Sequence, residues 1–303
     1  IISRDSPYPV LNPNFKSKKL SPSPINACKA VMDLQNRNSF SSILLQGVTG
    51  SGKTEVYLEA VANALKNGEQ VLVLLPEIAL TSEFFNRVKN RFGANPAEWH
   101  SGATLAERRR IWKMVASGGA KLVIGARSAL FLPFMNLGLV IVDEEHDHSY
   151  KQEDGVIYNA RDMAVLRSSI EGITVILASA TPSLESWVNA KNGKYSHVQI
   201  HERFGQATLP SLSVVDLRTE NLKSDEWISD SLEKSITECL NNEEQSLLFL
   251  NRRGYSPTTV CRACGNQVSC DECDARMVEH RFINRLMCHQ CGHTKAMPDK
   301  CPS

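Results

Sequence analysis

The residues best suited to chemistry in this sequence are the glycines and the lysine of a short loop, GVTGSGKT. Gly47, Gly52, Lys53 and Thr54 match the spacing G-x-x-x-x-G-K-[ST] of a phosphate-binding loop, and Gly50 lies within it. Glycines allow backbone N–H groups to turn inward around phosphate oxygens. In such a loop the lysine reaches the β- and γ-phosphates and the threonine hydroxyl holds Mg²⁺. The motif therefore predicts a site for ATP and Mg²⁺.

A second chemical signature lies at the end of an apolar run, LVIVDEEHD. After a phosphate-binding loop, such a strand end predicts that Asp143 holds the Mg²⁺ shell and that Glu144 orients and deprotonates the attacking water. Alone, it would be interpreted as a solvated acidic strand end.

A third strand end, LASATPS, carries Ser179 and Thr181. These residues either relay the state of the nucleotide site or form an ordinary capping turn with Pro182, and spacing alone leaves both possibilities open.

Seven of the nine cysteines lie close together near the end of the chain. They form three C-x₂-C pairs and one single cysteine: Cys261/Cys264, Cys270/Cys273, Cys288/Cys291 and Cys301. Each pair offers two thiolates to a tetrahedral zinc, so the pattern predicts two sites, one of which is short of a ligand. Spacing permits nested or sequential pairing, and reduced cysteines without metal are the alternative. Three histidines are possible substitute ligands, although surface positions or partner contacts explain them more simply: His280, His289 and His293.

These side chains need a scaffold that brings several strand ends together. Apolar segments of strand length alternate with helical periodicity over residues 25–200. The predicted strands are Ile43–Gln46, Val71–Leu75, Lys121–Ile124, Leu139–Val142 and Val175–Ala178. This alternation indicates an α/β fold with a parallel sheet covered by helices on both faces. Ligands of such sheets bind beyond the carboxyl ends of the strands, where the phosphate loop and Asp143 would meet.

Composition limits the class of protein. The chain has 303 residues, of which 42% are hydrophobic and 22% charged, as is typical of globular proteins. The net charge of +1 means that any site for a polyanion has to be a local patch. Polar residues and a proline interrupt the most apolar stretch, 122–142, which argues against a membrane span. No signal peptide is recognised, and nine cysteines beside a nucleotide loop favour a reducing compartment.

The composition changes along the chain. Four regions are predicted: a linker or domain tail at 1–24, a nucleotide-binding lobe at 25–215, an inter-lobe connection and start of a second lobe at 216–254, and a zinc-binding segment at 255–303. The predicted elements of the later regions are a strand at Ser213–Leu217, a helix at Ile228–Leu240 and a strand at Ser246–Leu250. Because the chain begins with Ile and ends at CPS, we expect a piece of a longer protein whose last C-x₂-C is cut.

The motifs together are more specific than any one of them. The set GVTGSGKTEVY, LLPEIALT, HSG, GARSALFLPF, DEEHDHSYKQEDG, SATPS and FLNRRGYSP resembles the PriA family of bacterial replication-restart helicases, from about Leu20 onward. The resemblance implies a superfamily 2 DNA helicase with RecA-like lobes, of which the first and the start of the second are present. It also implies nested pairing of the cysteines: an inner site of Cys270, Cys273, Cys288 and Cys291, and an outer site of Cys261, Cys264 and Cys301.

The resemblance assigns roles to individual residues of the ATP site. It implies that Lys53, Thr54, Asp143 and Glu144 bind ATP and Mg²⁺ and carry out hydrolysis. His146 matches the histidine that couples hydrolysis to the lobe interface.

Other positions resemble DNA contacts or depart from the family. Arg127 and Ser128 resemble a backbone contact, since the arginine fork suits phosphate. Tyr150 and Tyr158 lie in a segment resembling the loop that links DNA binding to ATP turnover, where they either stack on bases or pack in the core. Pro24 stands where the family has an adenine-reading glutamine, which puts adenine specificity in doubt. Two further departures are Val156, where some members have Trp, and the early position of Arg252 and Arg253.

The implied function is an ATP-dependent 3′→5′ DNA helicase that acts at stalled forks in the bacterial cytoplasm, associated with the nucleoid. Implied cofactors are ATP, Mg²⁺ and Zn²⁺. Implied partners are forked or single-stranded DNA, single-stranded DNA-binding protein and other primosome proteins, with no membrane. The alternatives are a zinc-stabilised assembly scaffold that uses ATP as a switch, and an unrelated superfamily 2 translocase. We expect this chain alone to be nearly inactive, because the arginine motif of the second lobe is missing.

Overall fold

The computed structural model describes residues 8–18, 20–37, 39–152, 155–202, 210–217, 219–220, 228–249, 264–273, 275–280, 285–288, 291–298 and 300–301. The chain divides into two compact units, 1–209 and 210–303. Among the residues so described, no helix is long and apolar enough to cross a membrane.

The first unit is built on a parallel sheet. Its strands are β1 (Ser41–Gly47), β2 (Gln70–Leu74), β3 (Ala97–Trp99), β4 (Leu122–Gly125), β5 (Leu137–Asp143), β6 (Lys151–Gln152), β7 (Tyr158–Asn159), β8 (Thr174–Ser179) and β9 (Ser196–Ile200). Seven of them pair in the order β3-β4-β2-β5-β8-β1-β9, and β6 and β7 form a separate antiparallel pair. The predicted α/β class is therefore confirmed. Sequence reasoning missed β3 and β9, the two edge strands, which are short or partly polar.

Helices cover both faces of this sheet. They are α1 (Pro22–Gln35), α2 (Lys53–Lys66), α3 (Ser82–Phe92), α4 (Leu105–Ala116), α5 (Ala160–Glu171) and α6 (Leu184–Lys191). Successive strand residues point to opposite faces, so Ile43 and Leu45 of β1 enter one core while Leu44 enters the other. Apolar residues on both faces explain why the strands have nearly continuous hydrophobic sequences.

The strand order determines what lies together at the carboxyl edge. β8 pairs with β1 on one side and with β5 on the other. The phosphate loop leaves β1, and Asp143 ends β5, with Ser179 at the end of β8 between them. The three motifs predicted from sequence therefore converge at one edge.

The segment before α1 packs on the first unit. Asn12 N–H donates to the carbonyl of Phe92 at 2.9 Å, and Arg91 Nη1 donates to the carbonyl of Pro13 at 2.8 Å. Lys18 Nζ lies 2.7 Å from a carboxylate oxygen of Glu55. α1 begins at Pro22, inside the region 1–24 that was predicted as a linker or domain tail, because proline suits the first helical turn.

The second unit has one helix and a small sheet in its described parts. These are α7 (Asp230–Asn241), β10 (Val278–His280), β11 (Arg285–Met287) and β12 (Thr294–Ala296). The strands predicted at Ser213–Leu217 and Ser246–Leu250 are wrong for the residues described, which exclude Leu250. Val214 is 94% and Leu247 92% exposed. β-forming residues need a neighbouring strand to pair with and a core to pack on, and these have neither among the described residues.

Candidate functional site

The phosphate loop joins β1 to α2 through two glycines in the left-handed region. Gly50 has φ +78° and Gly52, the N-cap of α2, has φ +90°. At Gly47, a Cβ would lie 2.4 Å from Ser51 Oγ, so a side chain there would fill the loop. The backbone therefore needs glycine at these three positions, as a phosphate cradle does.

Lys53 lies inside this cradle. It is buried, and its Nζ donates to the Gly47 carbonyl at 2.7 Å. Burial lowers the pKa of Lys53, and the carboxylates of Glu144 and Asp143 oppose that effect. Ser51 Oγ is buried and has no hydrogen-bond partner among the described residues. A phosphate oxygen would satisfy this hydroxyl and the lysine together, so the loop fits the nucleotide that the sequence predicts.

A cavity of about 470 Å³ opens over the loop. Lys53 and Thr54 line it from α2, and Asp143 and Glu144 line it from the end of β5. The two signatures, about ninety residues apart in sequence, therefore share one pocket. Pro24 also lines this cavity.

Tyr57 holds Asp143 in position, which sequence reasoning missed. The hydroxyl of Tyr57 donates to Asp143 Oδ2 at 2.8 Å, and Glu144 N–H donates to Oδ1 at 3.0 Å. Burial raises the pKa of Asp143, and the Tyr57 hydrogen bond partly offsets this. Each carboxylate oxygen accepts one bond in the structure and retains a lone pair, which suits Asp143 to a place in a magnesium shell.

The turn after β5 joins the second and third motifs. Glu144 has φ +48°, a backbone conformation that L-residues rarely adopt and that is often found at functional sites. Two residues on, His146 Nδ1 lies 2.8 Å from Ser179 Oγ, and Thr181 N–H donates to this hydroxyl at 3.0 Å. Ser179 therefore connects the histidine to the turn after β8. The relay stays a prediction, since the Thr181 bond is equally that of an ordinary capping turn.

Glu145 connects the turn after β5 to the start of α6. Its side chain is fully buried and accepts hydrogen bonds from Ser183 N–H at 2.7 Å, Ser183 Oγ at 2.9 Å and Ser186 Oγ at 2.9 Å. Arg161 Nη1 lies 3.4 Å from Glu145 Oε2 and donates to Ser183 Oγ at 2.6 Å. This network fixes the β5 turn to the start of α6. The sequence offered no signal for it beyond a second glutamate in DEEH.

In the second unit, four cysteines lie together. The Sγ atoms of Cys270, Cys273, Cys288 and Cys291 all lie within 4.8 Å of one another. This is the inner set, and four thiolates at this spacing are the usual ligands of a tetrahedral zinc. Cys264 Sγ lies 3.5 Å from Cys301 Sγ, as the nested arrangement requires, whereas Cys261 lies outside the described residues, as do His289, Arg252 and Arg253.

A family model for DEAD/DEAH box helicases matches residues 26–189, more than half of the chain. The chain belongs to the DEAD/DEAH box helicase family. A second model, the PriA DNA helicase Cys-rich region domain, matches residues 270–295 and so contains the inner cysteine set.

Curated relatives agree with both models. The replication restart protein PriA of Rickettsia felis is 46% identical over 259 residues, covering 86% of this chain and 40% of that protein. The PriA protein of Bacillus subtilis is 40% identical over 291 residues, covering 94% of this chain and 36% of that protein. The resemblance to PriA is thus confirmed, and the chain spans about 40% of the length of these relatives. The crystal structure of the DUF1998 helicase MrfA shares the fold, with a TM-score of 0.50 and 17% identity over 78% of this chain and 36% of that one.

In this DEAD/DEAH box helicase chain, two of the residues predicted to contact DNA, Arg127 and Ser128, form hydrogen bonds within the chain. Arg127 Nη1 donates to the carbonyls of Ser149 and Lys151, both at 3.0 Å. Ser128 Oγ accepts from Trp99 Nε1 at 3.0 Å. Arg127 therefore braces the loop after β5, and its role as a DNA contact stays a prediction.

Tyr150 is a core residue. Its side chain is 1% exposed, and its hydroxyl donates to the carbonyl of Asp143 at 2.6 Å, with the carbonyl of Leu74 also within reach at 3.0 Å. Burial raises its pKa well above the ordinary value of tyrosine. Of the two interpretations, core packing is the one observed in this structure, and a part for Tyr150 in coupling DNA binding to ATP turnover stays a prediction. Tyr158 is half-buried, with its ring 5.2 Å from that of Phe131, and Val156 is exposed.

Arg161→Ala should destabilise the first unit by about 3–5 kcal/mol, because it leaves the Glu145 carboxylate buried without its cation. Urea unfolding of the purified chain measures this. Arg37→Ala, at an exposed position, is the matched control and should change stability by less than about 0.5 kcal/mol. Adding Glu145→Gln to Arg161→Ala should restore part of the loss. Equal stability of Arg161→Ala and the control would show that the pair does not hold the turn.

Proposed function

We propose that this chain is the ATP-binding lobe and zinc-binding region of a 3′→5′ DNA helicase of the replication-restart primosome, which hydrolyses ATP to unwind DNA at stalled forks. One observation carries the proposal: the phosphate loop and the Asp143–Glu144 pair line one cavity, and the His146–Ser179 contact lies at the same edge of the sheet. The PriA-type cysteine region supports the narrower assignment to replication restart.

The residues of the cavity divide the work of hydrolysis. Lys53 would exchange the Gly47 carbonyl for the β- and γ-phosphate oxygens, where negative charge grows as the bond breaks. Thr54 and Asp143 would hold Mg²⁺, which supplies further charge neutralisation at the phosphates. Glu144 would accept a proton from the attacking water and orient it in line with the γ-phosphate.

Two contacts would transmit the state of the ATP site to bound DNA. His146 contacts the β8 turn through Ser179, and the Tyr150 hydroxyl binds the backbone carbonyl of Asp143 itself. Arg127 holds the carbonyls on either side of Tyr150. A shift of Arg127 on DNA binding would therefore move the residues that position Asp143, which is a physical route for DNA-stimulated hydrolysis.

The remaining assignments are part of the same proposal. Replication restart would require forked or single-stranded DNA, single-stranded DNA-binding protein and other primosome proteins, in the bacterial cytoplasm beside the nucleoid. The inner cysteine set would hold one Zn²⁺, and Cys264 and Cys301 would take part in a second. The predicted divisions at 1–24, 25–215, 216–254 and 255–303 would separate these roles.

The proposal is tested by ATP binding and turnover of this chain without DNA, with single-stranded DNA and with forked DNA. We expect Mg·ATP to bind and to turn over slowly. In comparable systems an arginine from the second lobe raises the rate of hydrolysis about 10³- to 10⁵-fold, and no residue of this chain is predicted to take that role. Glu144→Gln should keep ATP binding and abolish the residual turnover. Failure to bind either ATP or DNA would overturn the proposal. ATP binding that DNA never influences would favour the scaffold that uses ATP as a switch.

Pro24→Gln should increase selectivity for ATP over GTP. Pro24 lines the cavity and offers the base neither a donor nor an acceptor, whereas a glutamine amide can pair with both edge groups of adenine. We expect the ratio of dissociation constants to change by about 5- to 100-fold, the value of one amide–base pair. Pro22→Gln, which is exposed on the same helix turn, is the control. Equal ratios in both variants would mean that the base does not reach Pro24.

A further inference from the structure

The solvent face of α4 carries an unusual set of side chains. Leu105 is 66% and Trp112 51% exposed, although both are large apolar residues. Arg109 and Lys113 are exposed on the same helix. With 3.6 residues per turn, positions 105, 109, 112 and 113 lie on one side of the helix. We call these four residues the α4 face.

The α4 face lies on the side of the helix that is opposite to its core contacts. α4 packs on the sheet through Ile111 and Val115, which are buried on its opposite side. A capping box of Thr104 and Glu107 fixes the start of the helix. The helix is thus fully specified without Trp112, and the exposed indole has no packing role within the described residues of the first unit.

The charges on this helix favour a polyanion. The side chains of Arg109 and Lys113 form no ion pair or hydrogen bond among the described residues. The one acidic residue of α4, Glu107, is engaged by the capping box with Thr104. Two cations flanking an exposed indole form the combination that binds single-stranded nucleic acid, in which cations follow the phosphates and an aromatic ring stacks on a base.

Hydrogen bonds link α4 to the predicted DNA contact at the carboxyl edge of the sheet. Arg108 Nη2 donates to the carbonyls of His100 at 3.1 Å and Ser101 at 2.7 Å, which ties α4 to the loop after β3. Trp99 at the end of β3 donates to Ser128 Oγ, next to Arg127. These contacts fix α4 relative to the loop that carries Arg127 and Ser128.

From these observations we propose that the α4 face binds single-stranded DNA, with Trp112 stacked on an unpaired base and Arg109 and Lys113 on neighbouring phosphates. The inference rests on the proposed function, because it adds a second contact for the strand on which the helicase acts. Stacking requires an unpaired base, so the α4 face distinguishes single strands from blunt duplex.

The experiment measures binding of fluorescein-labelled oligo-dT and of a blunt duplex to this chain by anisotropy, over a series of salt concentrations. Trp112→Ala should weaken oligo-dT binding about 5- to 150-fold, the effect of losing one stacked base, and duplex binding much less. Trp112→Phe should recover most of the affinity. Trp187→Ala, at a tryptophan of α6 that is 41% exposed, is the matched control and should bind like the original chain.

The cations have their own test. Arg109→Gln with Lys113→Gln should lower the slope of log affinity against log salt by about 1.4 for a single strand, because two phosphate contacts are lost. Lys66→Gln with Lys194→Gln changes the net charge equally and should leave the slope unchanged. Oligo-dT binding that is unaffected by all α4 variants would overturn the inference, as would equal losses on duplex. Absence of DNA binding by the unaltered chain would instead contradict the proposed function.

Discussion

Lys53→Ala is expected to abolish ATP turnover and to weaken ATP binding at least about 30-fold. The ammonium is buried in the cradle of the phosphate loop, where its nearest partner is a single carbonyl, that of Gly47. Removing one partner of a buried charge pair costs about 2 to 5 kcal/mol, and the phosphates would become such a partner. In the transition state the loss is larger, because the γ-phosphate oxygens carry more charge.

The measurement is calorimetric titration with a slowly hydrolysed ATP analogue, alongside steady-state turnover. Lys66→Ala is the matched control, since Lys66 is an exposed lysine at the other end of the same helix. The control should bind and hydrolyse ATP normally. Tight binding of nucleotide by Lys53→Ala would show that the loop does not hold phosphate through this lysine.

Removing metal is expected to unfold the cysteine-rich part of the second unit and leave the first unit intact. Among the described residues of that part, the buried apolar cluster has five members, two of which are the cysteines Cys270 and Cys288. Its strands β10, β11 and β12 have three residues each. So small a core cannot order the chain alone, whereas zinc contributes about 10–16 kcal/mol in small zinc-binding peptides.

Metal analysis and limited proteolysis check this expectation. We expect about one tightly held zinc per chain, since four thiolates bind better than three. Chelation should expose residues 264–301 to protease while ATP binding persists. Cys288→Ser should behave like the chelated chain, and Cys239→Ser, on α7 outside the cluster, should not. Two chelator-resistant zincs would contradict the expected stoichiometry, and protease resistance after complete metal loss would remove zinc from the folding of this part.

Features that are encoded by neighbouring residues in the chain could be predicted from the sequence. The phosphate loop, its flanking strand and helix, and the three C-x₂-C pairs are each encoded in a few consecutive residues. Apolar runs of strand length predicted five of the seven strands of the main sheet, because central strands are buried on both faces. The α/β class and the meeting of strand ends at one edge followed from these features.

Features that depend on strand order or on a distant partner were decided by tertiary structure alone. The Tyr57 hydroxyl reaches Asp143 across 86 positions of sequence, and Arg161 reaches Glu145 across 16. Neither contact leaves a local pattern, since its geometry depends on which strands and helices lie side by side. Tyr150 shows the same limit. An aromatic residue in a loop is equally compatible with DNA contact and with core packing, and only its burial in the folded chain shows which one this structure adopts.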